Sequence, residues 1–305
     1  MKAAGIKLLF AISLWLPMMI SGAGIYDFVA DGAAVVIEAD LDSLRGTELE
    51  KEIKEFNRKI SDHFGGQYDF SAISEQLQRG VFTWNGDTVS PDFTILVQGD
   101  MGETAFNRIL ADSVEEKLIP VSLNGHSALR FPQESLNKKI RGKMDLVSSF
   151  VTDDIVMISD RGRVEAALNA SGKGDCRKDI GKAFLKFSGR PADTVIGMFF
   201  RGVKNAVIEA AVDDSGRGID LSGVAVCQDV NMASAMAMNT KMLIQAFIPL
   251  VLGRDIMLQS EVLKALEVIS VDDKVELSCK LNGATVKKLF RYAEKEIVRE
   301  NRQLR

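Results

Sequence analysis

The first apolar segment of the chain has the length and β-branched composition of a strand, and the next has the spacing of a helix. Residues 33–41, "AAVVIEADL", are a short run rich in Val and Ile that predicts a strand. Leu49, Ile53, Phe56 and Ile60 then follow at intervals of three or four residues, which places them on one face of a helix. Thr47 and Glu50 form a capping-box pattern at its start.

Both halves of the chain predict a similar order of elements: strand, hairpin, helix, strand and final helix. The first half continues with a hairpin at 81–100, a helix at 102–112, strands at 127–131 and 153–160, and a helix at 161–170. The second half has a strand at 193–202, a hairpin at 206–229, a helix from about Asn231, a strand at 269–281 and a terminal helix at 283–305. The terminal helix carries one apolar stripe, formed by Val286, Leu289, Phe290, Ala293 and Ile297.

This order predicts an α+β fold made of two similar halves, each an antiparallel sheet covered by helices. The likeness of the halves is consistent with an internal duplication. We expect three segments, namely a signal peptide at 1–23, an N-terminal half at 24–172 and a C-terminal half at 173–305. The two halves either form separate domains or share one core.

The N-terminus has the three parts of a secretory signal peptide. Lys2 and Lys7 precede an apolar run at 8–20, and small residues follow at 21–23, which predicts cleavage before Gly24. The apolar run has 13 residues, whereas a spanning helix needs about 20, so a retained anchor is the weaker interpretation. The protein is therefore predicted to be exported, to the periplasm or the extracellular medium. The formal net charge of −4 argues against nucleic acid as a partner.

Three cysteines are too few for a disulfide scaffold. Cys227 and Cys279 each share a strand face with apolar residues, which favours two buried thiols, and a bond between neighbouring strands is the alternative. Cys176 lies in a small polar segment and is predicted to be exposed.

The chain contains few residues suited to common catalytic sites. Asp-Asp pairs occur at 153–154, 213–214 and 272–273, each at a predicted strand start or turn, where Asp stabilises the backbone. His63 and His126 are the only histidines, and both are predicted in loops or turns. No catalytic residue and no cofactor is predicted. A carboxylate-based hydrolase, with acids from separate strands, remains the enzymatic alternative.

The helix that begins near Asn231 contains four methionines, and Met232 and Met236 are one turn apart. Thioethers bind Cu(I), so these two are weak candidate metal ligands. The preferred interpretation is a core helix in which methionine fills gaps. Its apolar run at 242–253 contains Pro249 and is too short to cross a bilayer, which predicts no transmembrane span in the mature chain. That run could cover a sheet or dock with a partner.

The terminal helix is also basic on one side, which allows peripheral contact with anionic lipid or cell-wall polymer, although a solvated face is the simpler interpretation. Taken together, these features predict an exported, non-enzymatic binding or scaffold protein of the cell envelope. Its partner would be an envelope protein or polymer. A Met-rich carrier of Cu(I) or a small ligand is the further alternative.

Overall fold

A computed structural model describes residues 33–63, 76–85, 92–113, 117–136, 141–169, 183–190, 200–253 and 255–303. The predicted signal peptide, Cys176 and most of the predicted strand at 193–202 lie outside these residues. In chain order, the elements are β1 (Val35–Asp40), α1 (Glu48–His63), β2 (Leu77–Trp84), β3 (Phe93–Gly99), α2 (Glu103–Ser113), β4 (Ile119–Leu123), β5 (His126–Arg130), β6 (Leu146–Phe150), β7 (Ile155–Asp160), α3 (Arg161–Asn169), β8 (Ala183–Gly189), β9 (Val203–Val212), β10 (Ile219–Cys227), α4 (Val230–Leu252), α5 (Ile256–Ala265), β11 (Leu266–Val271), β12 (Lys274–Leu281) and α6 (Gly283–Gln303).

The fold class is α+β, as the sequence predicts, and the chain divides into two compact units. The N-terminal unit contains β1 to β7 with α2 and α3, and the C-terminal unit contains β8 to β12 with α4, α5 and α6. Helix α1 also belongs to the C-terminal unit, although it follows β1 in the chain. Within each unit, neighbouring strands run antiparallel.

The N-terminal unit has the strand order β4-β5-β6-β7-β3-β2-β1. One face of this sheet forms an apolar cluster with α3, which contributes Val164 and Ala167. On another part of the sheet, Phe106 of α2 packs edge-on against Phe150, with ring centroids 5.8 Å apart.

The C-terminal unit has the strand order β8-β9-β10-β12-β11. The run β1-β2-β3-β7-β6 of the other unit has the same arrangement. In both runs, three strands lie side by side in chain order, and the last two strands of the unit follow in reversed order. This shared order is what a duplication would produce, and the duplication itself stays a prediction.

Helices α1 and α6 pack together in the C-terminal unit through their predicted apolar faces. Leu49 and Ile60 of α1 are buried, and Phe56 contacts Phe290 of α6 with ring centroids 5.3 Å apart. One half of the predicted capping box is present at the start of α1, because the Glu50 N–H donates to Thr47 Oγ1 over 3.1 Å. The Glu50 carboxylate accepts from the Gly46 N–H over 2.7 Å instead of from the Thr47 N–H.

The predicted single strand at 269–281 is wrong. Strands β11 and β12 form a hairpin there, and Asp272 and Asp273 are its turn, with Asp272 at a φ of 51°. Asp tolerates this left-handed conformation better than most residues, which explains why the pair interrupts the strand. His63 is also not in a loop, since it is the last residue of α1.

Candidate docking surface

Helix α4 is held on the C-terminal unit by its amino-terminal half. Asp229 caps the helix by accepting a hydrogen bond from the Met232 N–H over 2.8 Å. Ala233, Met236 and Ala237 are buried in a cluster with residues of β9, β10 and β12. This half of the helix therefore has the core role that its methionines suggested.

The rest of α4, from Met238 onward, is not buried in this way. From Met238 to Val251, all of which the structure describes, no residue is buried, and the next buried residue is Leu252. The four polar or charged residues of this stretch lie between Asn239 and Gln245, while 246–251 are all apolar. Apolar side chains thus point to solvent along about three turns of helix.

We define the α4–α5 apolar surface as the large hydrophobic side chains exposed in this stretch and at the start of α5. Its members are Met238, Met242, Phe247, Leu250, Val251, Ile256 and Met257. Their exposed fractions run from 57% to 77%, whereas the exposed large hydrophobic residues of the strands reach only 39% to 46%. Scattered exposed hydrophobics are normal, but such a concentration marks an interaction surface.

The turn between α4 and α5 is specified by its hydrogen bonds and by one glycine. Gly253 has a φ of 52°, and a Cβ at this position would lie 2.8 Å from the Tyr292 hydroxyl oxygen. Asp255 caps α5 by accepting from the Leu258 N–H over 3.0 Å, and Leu258 is buried. As a result, Ile256 at the start of α5 is exposed, whereas Leu258, two residues later, is buried and holds α5 on the unit.

Few charged residues lie along this surface. No Asp or Glu occurs between Asp229 and Asp255, and Lys241 is the only charged residue of α4. On α5, Glu261 is paired with Lys288 of α6, whose ammonium group lowers the pKa of this carboxyl. The outer side of α4 therefore carries one cation and no anion among its apolar and neutral polar side chains, and the exposed Asp255 is the nearest acidic residue at the start of α5.

Helix α4 is long and apolar enough to cross a membrane when judged by length and composition alone. The apolar run at 242–253 is too short to span a bilayer, but the whole helix has 23 residues. The length of α4 therefore does not exclude a transmembrane span. Core helices of soluble proteins pass the same test, but only 17% of the apolar window of α4 is buried. The absence of a transmembrane span stays a prediction.

The candidate copper ligands lie in and beside the core. Met236 is buried, and Met232 packs against the same cluster, with its sulfur 2.9 Å from where a Cβ on Gly202 would be. Within the described residues, no group of three or more His, Cys, Asp or Glu could hold a metal ion. The role of Met232 and Met236 in copper binding stays a prediction.

Cys227 and Cys279 are free and buried. Leu221 of β10 pairs with Cys279, and Cys227 lies six residues farther along β10, roughly 20 Å away at 3.3 Å per residue. A disulfide needs Cα atoms within about 7 Å, so these two cannot pair. Burial raises the pKa of both thiols.

The Asp-Asp pairs are turn residues, as predicted. Asp213 accepts hydrogen bonds from the Ser215 hydroxyl and from the N–H groups of Arg217 and Gly218, over 2.7, 3.0 and 2.9 Å. Burial acts to raise the pKa of Asp213, but these hydrogen bonds outweigh it and lower the pKa. Such a carboxylate is stabilised in its ionised form, as a turn requires, rather than tuned as a general acid.

The basic side of α6 is partly neutralised within its own unit. Lys287 contacts Glu52 of α1 over 2.5 Å, Lys288 pairs with Glu261, and Arg299 contacts Glu296 over 2.8 Å. Membrane contact by this helix stays a prediction.

The sequence did not predict α5 or its exposed residues. Asp255, a good N-cap residue, directly precedes Ile256 and was the available signal. Without the structure, nothing in the sequence separated the exposed half of α4 from the buried half.

No protein-family model and no curated protein matches the chain. Among solved structures, crystal form III of TP0453 has a TM-score of 0.53 at 9% identity, covering 90% of this chain and 99% of that chain. Crystal form I has a TM-score of 0.45 at 8% identity, covering 90% of this chain and 98% of that chain. Form IV has a TM-score of 0.48 at 9% identity, covering 88% and 96%. At this identity the likeness concerns the fold alone.

Proposed function

We propose that the protein is an exported, non-enzymatic binding protein of the cell envelope that docks on a phospholipid bilayer through the α4–α5 apolar surface. Export rests on the sequence of residues 1–23. Docking rests on one observation, the concentration of seven strongly exposed hydrophobic side chains on one helix and the first turn of the next.

The size of this surface fits reversible docking. Burying a side chain such as Leu or Met contributes about 1.5–3 kcal/mol, so seven side chains at their observed exposure offer on the order of 10 kcal/mol. A myristoyl chain of about 13 methylene-sized groups offers a similar amount, and it binds membranes only marginally and reversibly. We therefore expect reversible attachment that a second attractive term strengthens.

A bilayer explains the charge pattern better than a protein partner does. Protein interfaces surround their apolar centre with a polar, solvent-accessible rim. Helix α4 contains no acidic residue and one lysine, which suits the anionic surface of a membrane, and Asp255 follows at the start of α5. Self-association through the same surface is the competing outcome, and the experiment below separates the two.

Neither earlier alternative gains support. A hydrolase needs a carboxyl group whose pKa is raised or two carboxylates that face each other. Among the described residues, the carboxyl pKa shifts that are resolved, at Glu48, Glu50, Glu55, Asp213 and Glu261, are all downward. A copper carrier would need Met236, which is packed into the core.

The test is flotation of the mature chain, starting at Gly24, with vesicles of phosphatidylcholine and phosphatidylglycerol in a density gradient. We expect the protein to float with the vesicles and to remain at the bottom without them. A chain that stays at the bottom and elutes as a dimer in size-exclusion chromatography would instead support self-association. Mass spectrometry of the protein from its own cells checks export, because cleavage should leave Gly24 as the first residue.

A further inference from the structure

The outward side of α4 changes character along its length. In the amino-terminal half, the exposed positions include the polar residues Asn231, Ser234 and Asn239 beside the apolar Val230 and Met238. In the carboxyl-terminal half, they include Met242, Phe247, Leu250 and Val251, with Gln245 as the one polar residue. The exposed side is therefore mixed in the amino-terminal half and mainly apolar in the carboxyl-terminal half.

Lys241 lies at the boundary between these two halves. It is the twelfth of the 23 residues of α4, its side chain is exposed, and it is the only charge on the helix. A helix that spanned the bilayer would place this ammonium group near the centre of the hydrocarbon, where lysine is strongly disfavoured. A helix inclined in the interface would place it among the lipid phosphates, where lysine is favoured.

We propose that α4 lies inclined in the membrane interface, with Lys241 bound to the phosphate groups of anionic phospholipids and with the side chains of Met242, Phe247, Leu250 and Val251 immersed below them. This inference rests on the proposed function and adds the lipid class and the orientation. Lys241 then supplies the second attractive term that an apolar surface of this size needs. The amino-terminal half of α4 stays attached to its sheet through Ala233, Met236 and Ala237.

The first experiment compares Lys241→Gln with Lys264→Gln, because Lys264 is also exposed but lies at the far end of α5. Affinities are measured for vesicles of pure phosphatidylcholine and for vesicles that contain phosphatidylglycerol. A lysine near an anionic surface contributes roughly 1 kcal/mol, so Lys241→Gln should lower the affinity for the anionic vesicles about fivefold. It should leave the affinity for phosphatidylcholine unchanged, and Lys264→Gln should change neither.

The second experiment measures depth with a matched pair of positions. Ala235 and Ala246 are both exposed, and eleven residues of helix place them on almost the same face. Each is replaced by Cys in a Cys176→Ser chain and labelled with an environment-sensitive fluorophore. The Cys176→Ser chain without a new Cys, which keeps only the buried Cys227 and Cys279, gives the background labelling. We expect quenching by a spin label deep in the acyl chains at position 246 and not at 235.

The outcomes separate the two levels of the proposal. If the parent chain binds no vesicle, the proposed function fails, and this inference fails with it. If the parent binds but Lys241→Gln keeps its preference for anionic lipid, or loses no more than Lys264→Gln does, the headgroup assignment is wrong. If the labels at 235 and 246 are quenched equally by the deep spin label, α4 spans the bilayer and the inclined orientation is wrong.

Discussion

Leu250 is the most exposed member of the α4–α5 apolar surface, so Leu250→Gln is the most direct perturbation of docking. The side chain is 77% exposed in the free protein. Full burial of a leucine contributes about 1.5–3 kcal/mol, so this exposed part can contribute about 1–2 kcal/mol on docking. Glutamine has nearly the same helix propensity as leucine, which leaves the helix itself little affected.

The expected result is a 5- to 30-fold lower partition coefficient on vesicles, because each 1.4 kcal/mol corresponds to a factor of ten. Binding is measured by sedimentation of vesicles over a range of lipid concentrations. The midpoint of thermal unfolding should hardly change, since substitutions at exposed positions usually alter the free energy of unfolding by less than about 0.5 kcal/mol.

Ile269→Gln is the matched control. Ile269 is also an exposed aliphatic residue of the C-terminal unit, but it lies on β11 and outside the α4–α5 apolar surface. This variant should bind vesicles as the parent does. Equal loss of binding in both variants, or no loss in Leu250→Gln, would refute the assignment of the docking surface.

Two further predictions concern stability. Gly253→Ala should lower the free energy of unfolding by about 1–3 kcal/mol, because alanine is strained at a φ of 52° and a ψ of −121° and its Cβ would approach the Tyr292 hydroxyl. Thermal unfolding measures this loss, and adding Tyr292→Phe should recover part of it. Burial raises the thiol pKa of Cys227 and Cys279 in the folded state. As pH rises, these thiols therefore ionise first in the unfolded state, so the free energy of unfolding should fall above about pH 8.5. Denaturant titrations of a Cys227→Ala, Cys279→Ala variant should show a weaker dependence on pH in that range.

Elements whose apolar residues recur with one clear period were predictable from the sequence. Helices α1 and α6 have apolar residues at helical spacing, and the structure packs Phe56 against Phe290 as those faces suggest. The hairpin of β9 and β10 was signalled by two apolar runs around a turn that is rich in Asp, Ser and Gly. In each case, neighbours in the chain determine the conformation, so a local pattern is sufficient.

Elements without a clear period were missed. Strand β6 is "LVSSF", and its buried residues include two serines, Ser148 and Ser149, on opposite faces of the sheet. Burial on both faces removes the alternation of apolar and polar residues by which a strand is recognised. The sequence of β11 and β12 predicts one strand, because both strands contain alternating apolar residues and only the turn at Asp272 separates them.

The sequence by itself determined the α+β class, the turn role of the Asp pairs and the amphipathic helices, because these depend on residues close together in the chain. It also identified α4 as an apolar helix with methionines. Only the tertiary structure decided which part of α4 is covered, since Ala233 and Met236 meet Cys227 and Val275 from distant strands, whereas none of residues 238–251 is buried. Burial depends on which surfaces meet after folding, and hydrophobicity alone does not distinguish a core face from a docking face.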